Sequence, residues 1–169
     1  MSIEIIGMVR TKEVSVRPIV ADTEEAAWQR AEDIRSATAR RAADAETAQV
    51  QGVQVPARGG RLFGFRESSS VGSERLHRQA TERDVHDERL WYGVTTLTGP
   101  GGNSTALVGT PRQVADALMA YRRVGVDTVL IRGFDPLDDV VDWGTELVPL
   151  LREQAKITPV GTEAAALSA

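Results

Sequence analysis

Three features of the sequence predict an α/β fold with parallel strands. The run Leu130-Ile131-Arg132-Gly133-Phe134-Asp135-Pro136-Leu137 passes from an apolar strand through a cationic strand end into a helix start. Strand-like and helix-like patterns alternate in the order strand, helix, long insertion, strand, helix, strand, helix. Two helices open on an oxygen-bearing residue followed by proline, Thr110-Pro111 and Asp135-Pro136, where the missing proline N–H costs nothing. Such alternation joins parallel strands by right-handed crossovers, and three strands fall well short of the roughly eight that close a barrel. An open wedge with two bare edges is therefore expected.

Val14 to Val20 is short, β-branched and bounded by Asp22-Thr23, which makes it the first strand. Asp22 or Thr23 caps the helix that follows, Glu24 and Glu25 sit at its positive end, and alanine carries it to about Ala45. Trp28, with Ala31 and Ile34 or Arg35 at helical spacing, packs this helix on the sheet. From Gln49 to about Arg89, Gly52, Pro56, Gly59, Gly60, Gly64 and Ser68-Ser69-Ser70 interrupt any pattern. A stretch of this length reads as a lid or a disordered insertion, with a short helix over Ser73–Thr81. Trp91 to Leu97, aromatic and β-branched, is the second strand, and Gly99–Ser104 a mobile loop.

Val114, Ala117, Leu118 and Tyr121 form one apolar stripe on the next helix, which Gly125 ends as a left-handed residue. Val126 to Ile131 has the length and apolarity of a strand buried on both faces. The last helix presents Leu137, Val140, Val141, Gly144, Leu147, Val148 and Leu151 on one side, with Gly144 allowing close backbone approach. The pattern fades after Arg152. One domain spans residues 1–155, with an insertion at about 49–90, and residues 156–169 form a flexible tail.

Composition bounds the function. A hydrophobic share of 41% and a charged share of 26% are ordinary for a globular chain of 169 residues. The absence of cysteine excludes disulfides and thiolate chemistry and agrees with a cytoplasmic location. A net charge of -4 with scattered arginines argues against a nucleic-acid surface. The apolar residues before Val14 are too few for a signal sequence or a membrane span.

In parallel α/β sheets functional groups collect where strands end. Arg132, a cation at a strand end beside a helix start, would hold an anionic substrate or a flavin phosphate, or would pair with Asp135 or Asp139. Arg17 lies inside the first strand, where a charge is costly unless it faces a polar cavity or a carboxylate. Pro18 beside it removes a ladder donor. His77 and His86 are too few and too far apart for a metal site, and the run Asp84–Glu88 around His86 reads as a solvated loop or helix start in preference to a general base. The glycine-rich segment from Gly99 lacks the ending of a phosphate-binding loop, and no Gly-x-Ser-x-Gly elbow occurs.

The segments Arg17–Trp28, His86–Trp91, Asn103–Pro111 and Leu130–Leu137 carry a resemblance, extending from Ser15 to Arg152, to the bacterial luciferase-like, flavin-dependent monooxygenases, most closely their alkanesulfonate monooxygenase branch. The resemblance implies the C-terminal portion of a TIM (β/α)8 barrel, about its last three β/α units, with the long insertion as lid or rim. It also implies a reaction in which reduced FMN and O2 oxygenate a small organic substrate such as a sulfonate, with a separate flavin reductase. By the same comparison Arg17 takes the place of a flavin-facing histidine and Ser15 that of an arginine. Arg17 and Arg132 are then the catalytic candidates, and Ser15, Arg17 and Phe134 the cofactor-binding ones. Three departures stand out: the first barrel strands are missing, Phe134 replaces a tyrosine, and no arginine occurs between Thr98 and Thr105. A partner chain or a homo-oligomer would have to complete the barrel. The alternative is a non-catalytic binding or oligomerisation module derived from it.

Overall fold

The computed structural model describes residues 12–50, 71–97 and 105–161. The readings made for Gly99–Ser104, for the centre of the insertion and for the tail beyond residue 161 lie outside the described residues. In chain order the elements are β1 (Glu13–Val20), α1 (Glu24–Val50), α2 (Val71–Glu82), β2 (Val85–His86), β3 (Leu90–Trp91), β4 (Ala106–Gly109), α3 (Pro111–Arg123), β5 (Thr128–Ile131), α4 (Pro136–Asp142) and α5 (Val148–Ile157). A π-helical turn at Trp143–Leu147 joins the last two.

The fold is mixed α/β, built on a five-stranded sheet of order β2-β3-β4-β1-β5. β1 is parallel to both β4 and β5, whereas β2 and β3 add an antiparallel hairpin beside β4. The described strands do not close a barrel. The hairpin covers one of the two edges expected to be bare, and β5 is the other.

Residue alternation divides β1 and β4 between two cores. Val16, Val20 and Leu107 pack with Val114, Leu118, Trp143 and Leu147 from α3 and the last helices. Ile19, Ala106 and Val108 pack on the opposite face with Ala27 and Ala31 of α1 and with Trp91. Both faces are therefore covered along the central strands, and each fully buried large side chain contributes roughly 1.5–3 kcal/mol. Trp28 flanks the second core, as its helical spacing indicates.

Several sequence expectations need correction. The second parallel strand is Ala106–Gly109, not Trp91–Leu97. Trp91 closes the antiparallel β3, and the chain then turns through Thr95 N–H to Tyr92 C=O (2.8 Å) and Leu97 N–H to Val94 C=O (3.2 Å), with Tyr92, Val94 and Thr95 buried. β5 is not buried on both faces, because it lies at the edge and leaves Leu130 56% exposed. The last apolar stripe splits in two, with Leu137, Val140 and Val141 exposed while Leu147 is buried beside Trp143, which lies outside the stripe. Pro149 lacks the N–H that would bond to Thr145, and the wider turn before it shifts the helix face. Gly144 has no neighbour within 4 Å of an added Cβ, so it serves no close approach.

Other expectations agree. Thr23 caps α1, its Oγ1 accepting from Ala26 N–H at 3.2 Å. Thr110 forms a full capping box with Gln113 at the start of α3. Gly125 has φ +101, the left-handed conformation expected after that helix. α2 covers the Ser73–Thr81 segment, and α1 and α5 both run a few residues beyond their expected ends.

Candidate active site

β1 outlasts β5. Their register ends at Val16 opposite Ile131, with a last bond from Arg132 N–H to Val16 C=O at 3.1 Å. Arg17 N–H bonds instead to Thr105 C=O at 3.0 Å, toward β4. Residue 18 therefore faces the side on which β5 has already finished, and Pro18 sits inside a strand without breaking a strand pair.

The chain leaves β1 for α1 on one face and leaves β5 for the last helices on the other. The carboxyl ends of strands are the usual ligand position in open α/β sheets, and β5 ends level with Arg17 of β1. Arg17, Arg132, Gly133 and Phe134 meet there.

Arg17 donates from Nη1 to the Gly133 carbonyl, and its Cζ lies 5.0 Å from the centroid of the Phe134 ring. That stacking geometry favours a cation. Among the described residues its Nε is buried without a hydrogen-bond partner. Burial, chiefly, and the nearby Arg132 lower its pKa from the usual arginine range, while Asp139 opposes them. The guanidinium remains charged at physiological pH. Arg132 is exposed and donates from Nε to Ser15 Oγ at 3.2 Å. It forms no ion pair with Asp135 or Asp139 among the described residues, which removes the salt-bridge reading. The candidates Ser15, Arg17, Arg132 and Phe134 are thus brought together, two of them cations.

Asp139, singled out in the sequence only as a partner for Arg132, organises this site. It is 5% exposed, and its Oδ2 accepts from the N–H groups of Phe134 (2.7 Å) and Asp135 (2.9 Å). Its Oδ1 accepts from Arg30 at 2.8 Å, and Arg30 also reaches Asp142 and the Val20 carbonyl, both at 2.9 Å. Asp139 therefore ties α1 to the loop after β5. The side chain of Asp135, the cap expected from the sequence, makes no cap bond. The place of Asp139 near the start of a helix, after Gly133, was the available signal.

Gly133 is required by this arrangement, because a Cβ there would lie 2.5 Å from Asp139 Oδ2. Gly133→Ala is expected to cost about 1–3 kcal/mol by forcing a fixed carboxylate aside. Urea denaturation followed by circular dichroism checks this, and an unchanged midpoint would contradict it.

A second polar cluster locks the starts of α1 and α3 to the hairpin. Glu24 accepts from Gln113 Nε2 at 2.8 Å and from Arg89 Nη1 at 3.1 Å, and these bonds, Gln113 first, hold its pKa below the usual carboxylate range. A carboxylate depressed in the folded state contributes stability above its unfolded pKa and loses it as pH falls through the folded value. The stability of wild type relative to Glu24→Gln is therefore expected to shrink on acidification. Parallel acid and neutral urea titrations measure it, and a difference that is constant with pH would contradict this role.

His86 Nε2 lies 3.1 Å from the carbonyls of both Gln79 and Arg83, and its ring stacks obliquely on Tyr92 at 4.6 Å. Asp84 pairs with Arg35 at 2.6 Å. The acidic run thus builds β2 and its turn, and no group of three or more potential metal ligands occurs among the described residues. A hollow of about 580 Å³ between this hairpin and α3 is lined by Leu90, Leu107 and Tyr121, but not by Ser15, Arg17, Arg132 or Phe134. No helix among the described residues is long and apolar enough to cross a membrane.

The family model for luciferase-like monooxygenases matches residues 12–128, which include β1, the hairpin, β4 and α3. The match spans more than half of the chain, and the protein belongs to the luciferase-like monooxygenase family.

Proposed function

We propose that this chain is the C-terminal portion of a reduced-FMN-dependent monooxygenase of the alkanesulfonate type, and that β1 and β5 are late strands of a TIM barrel completed by a partner chain or a second copy. The observation that carries this reading is the position of Arg17, stacked on Phe134 beside Arg132 at the carboxyl end of β5, in a chain of this family.

The residues fit a flavin or an anionic substrate. Arg17 Nε is a buried donor without a partner, and Arg132 leaves the outer nitrogens of its guanidinium uncommitted among the described residues. When bound, reduced FMN supplies the electrons that activate O2. Arg17 and Arg132 would hold the phosphate of that cofactor or the sulfonate of a substrate by charge-assisted hydrogen bonds. Ser15 orients Arg132, and the Phe134 ring fixes Arg17 and shields it from water. Phe134 has no hydroxyl, so the chain offers no phenol at this position. A small organic substrate, a separate flavin reductase and a cytoplasmic location complete the proposal.

Titration with FMN and, anaerobically, with reduced FMN tests it through flavin fluorescence, with and without the product of the gene immediately upstream. Quenching that is strengthened by that partner is expected. No change in either condition would reject a flavin role and favour a non-catalytic module, a reading that the exposed edge of β5 otherwise supports.

A further inference from the structure

We infer that Arg30 is a positioning residue for oxyanion binding at Arg17: it holds the Asp139 carboxylate in a separate ion pair and so keeps the Arg17 guanidinium open to a ligand. The inference rests on the reading of Arg17 and Arg132 as an anion site and adds a residue of α1 to it.

A cation and a carboxylate meet at one glycine. Arg17 Nη1 donates to the Gly133 carbonyl, and a Cβ on Gly133 would lie 2.5 Å from Asp139 Oδ2. Burial and Arg132 disfavour the Arg17 charge, and Asp139 is the group that favours it. Only 6% of the Asp139 side chain is exposed, so water does little to satisfy it. A buried carboxylate needs a cationic partner. Were that partner Arg17, a ligand anion would have to displace an internal one.

Arg30 supplies the partner instead. Its Nη2 donates to Asp139 Oδ1 at 2.8 Å, and its Nη1 reaches the Val20 carbonyl and Asp142 Oδ2, both at 2.9 Å. Val20 ends β1 and Asp142 ends α4, so the guanidinium is anchored to both elements through a planar fork that the point charge of lysine does not reproduce. Oδ2 of Asp139 is occupied by the N–H groups of Phe134 and Asp135, and neither oxygen bonds to Arg17 among the described residues. Removing Arg30 frees Oδ1 on a buried carboxylate whose next cation is Arg17.

The test measures binding of reduced FMN, followed anaerobically by flavin fluorescence, and of octanesulfonate, followed by calorimetry, with the upstream gene product present. The two ligands distinguish a phosphate from a sulfonate as the bound oxyanion. Arg30→Met should weaken whichever anion binds by about tenfold, the lower end for a hydrogen bond to a charged group. Arg30→Lys, which keeps a cation at Asp139 without the fork, should fall between Arg30→Met and wild type. Asp139→Asn retains an acceptor for the backbone but removes the competing charge, so it should bind at least as tightly as wild type despite its lower stability. Arg30→Met combined with Asp139→Asn should return affinity to within about twofold of wild type. A bracing role alone predicts weaker binding in all of these variants. Equal affinity in wild type and Arg30→Met would overturn the inference and leave the anion site standing, as would a loss of binding in Asp139→Asn. Wild type that binds neither ligand would overturn the anion site and this inference with it.

Discussion

Asp139→Ala is expected to destabilise the protein by about 3 kcal/mol, measured as a loss in the free energy of urea unfolding. Removing one partner of a buried ion pair costs roughly 3–5 kcal/mol because the remaining charge and donors stay desolvated. The lower end applies here, since the Arg30 side chain is 30% exposed against 6% for Asp139, and Arg30 keeps Asp142 and the Val20 carbonyl. The larger part of the loss comes from the N–H groups of Phe134 and Asp135, which share Oδ2. Asp139→Asn therefore discriminates between causes: its amide oxygen can still accept from the backbone but no longer offers Arg30 a charge. An intermediate loss is expected for Asn, and a double-mutant cycle with Arg30→Met should give a coupling of at least about 0.5 kcal/mol. A full Asp139→Ala loss below about 1 kcal/mol would remove this residue from its organising role.

The second large effect is expected on binding. Arg17→Met should weaken the affinity of the assembled protein for reduced FMN or an anionic substrate by about 10–100-fold, the worth of a hydrogen bond to a charged group. The methionine side chain keeps most of the apolar contact with Phe134, so stability should fall much less than binding. Burial and Arg132 both disfavour the Arg17 charge, which means that the free protein holds this cation at some cost. An arriving anion relieves the repulsion. Arg17→Lys should recover part of the affinity, because it restores the charge without the planar donor fork. Equal binding by wild type and Arg17→Met would show that Arg17 serves only to brace the Gly133 carbonyl.

The local devices of this fold were largely legible. The Thr110-Pro111 start, the left-handed Gly125 and the first strand all follow from short-range chemistry, and the structure reproduces them. The failures were tertiary. Trp91–Leu97 has strand composition, yet only Trp91 lies in a strand, while Tyr92, Val94 and Thr95 find buried surroundings in a turn, which no alternation could reveal. Val126–Ile131 reads as a central strand because an apolar edge looks the same until its neighbours are known. The exposure of Leu137, Val140 and Val141 depends on the π-helical turn ahead of Pro149, a shift of register that helical periodicity presupposes away. At the site, Arg17 was conspicuous as a charge in an apolar strand and Arg132 by its strand-end position. Asp139 was not, because its partners Arg30 and Phe134 come from different ends of the chain and meet only in the fold.

The most direct measurement follows the side-chain Nε–H resonance of Arg17, with the backbone amides of Gly133 and Phe134, by nuclear magnetic resonance during titration of the assembled protein with reduced FMN. The Arg17 Nε–H, buried and unpartnered among the described residues, should shift in step with those amides as a ligand anion engages the site. Saturating shifts at the hollow between the hairpin and α3, with Arg17, Gly133 and Phe134 unmoved, would place the ligand on the other face of the sheet and contradict the site described.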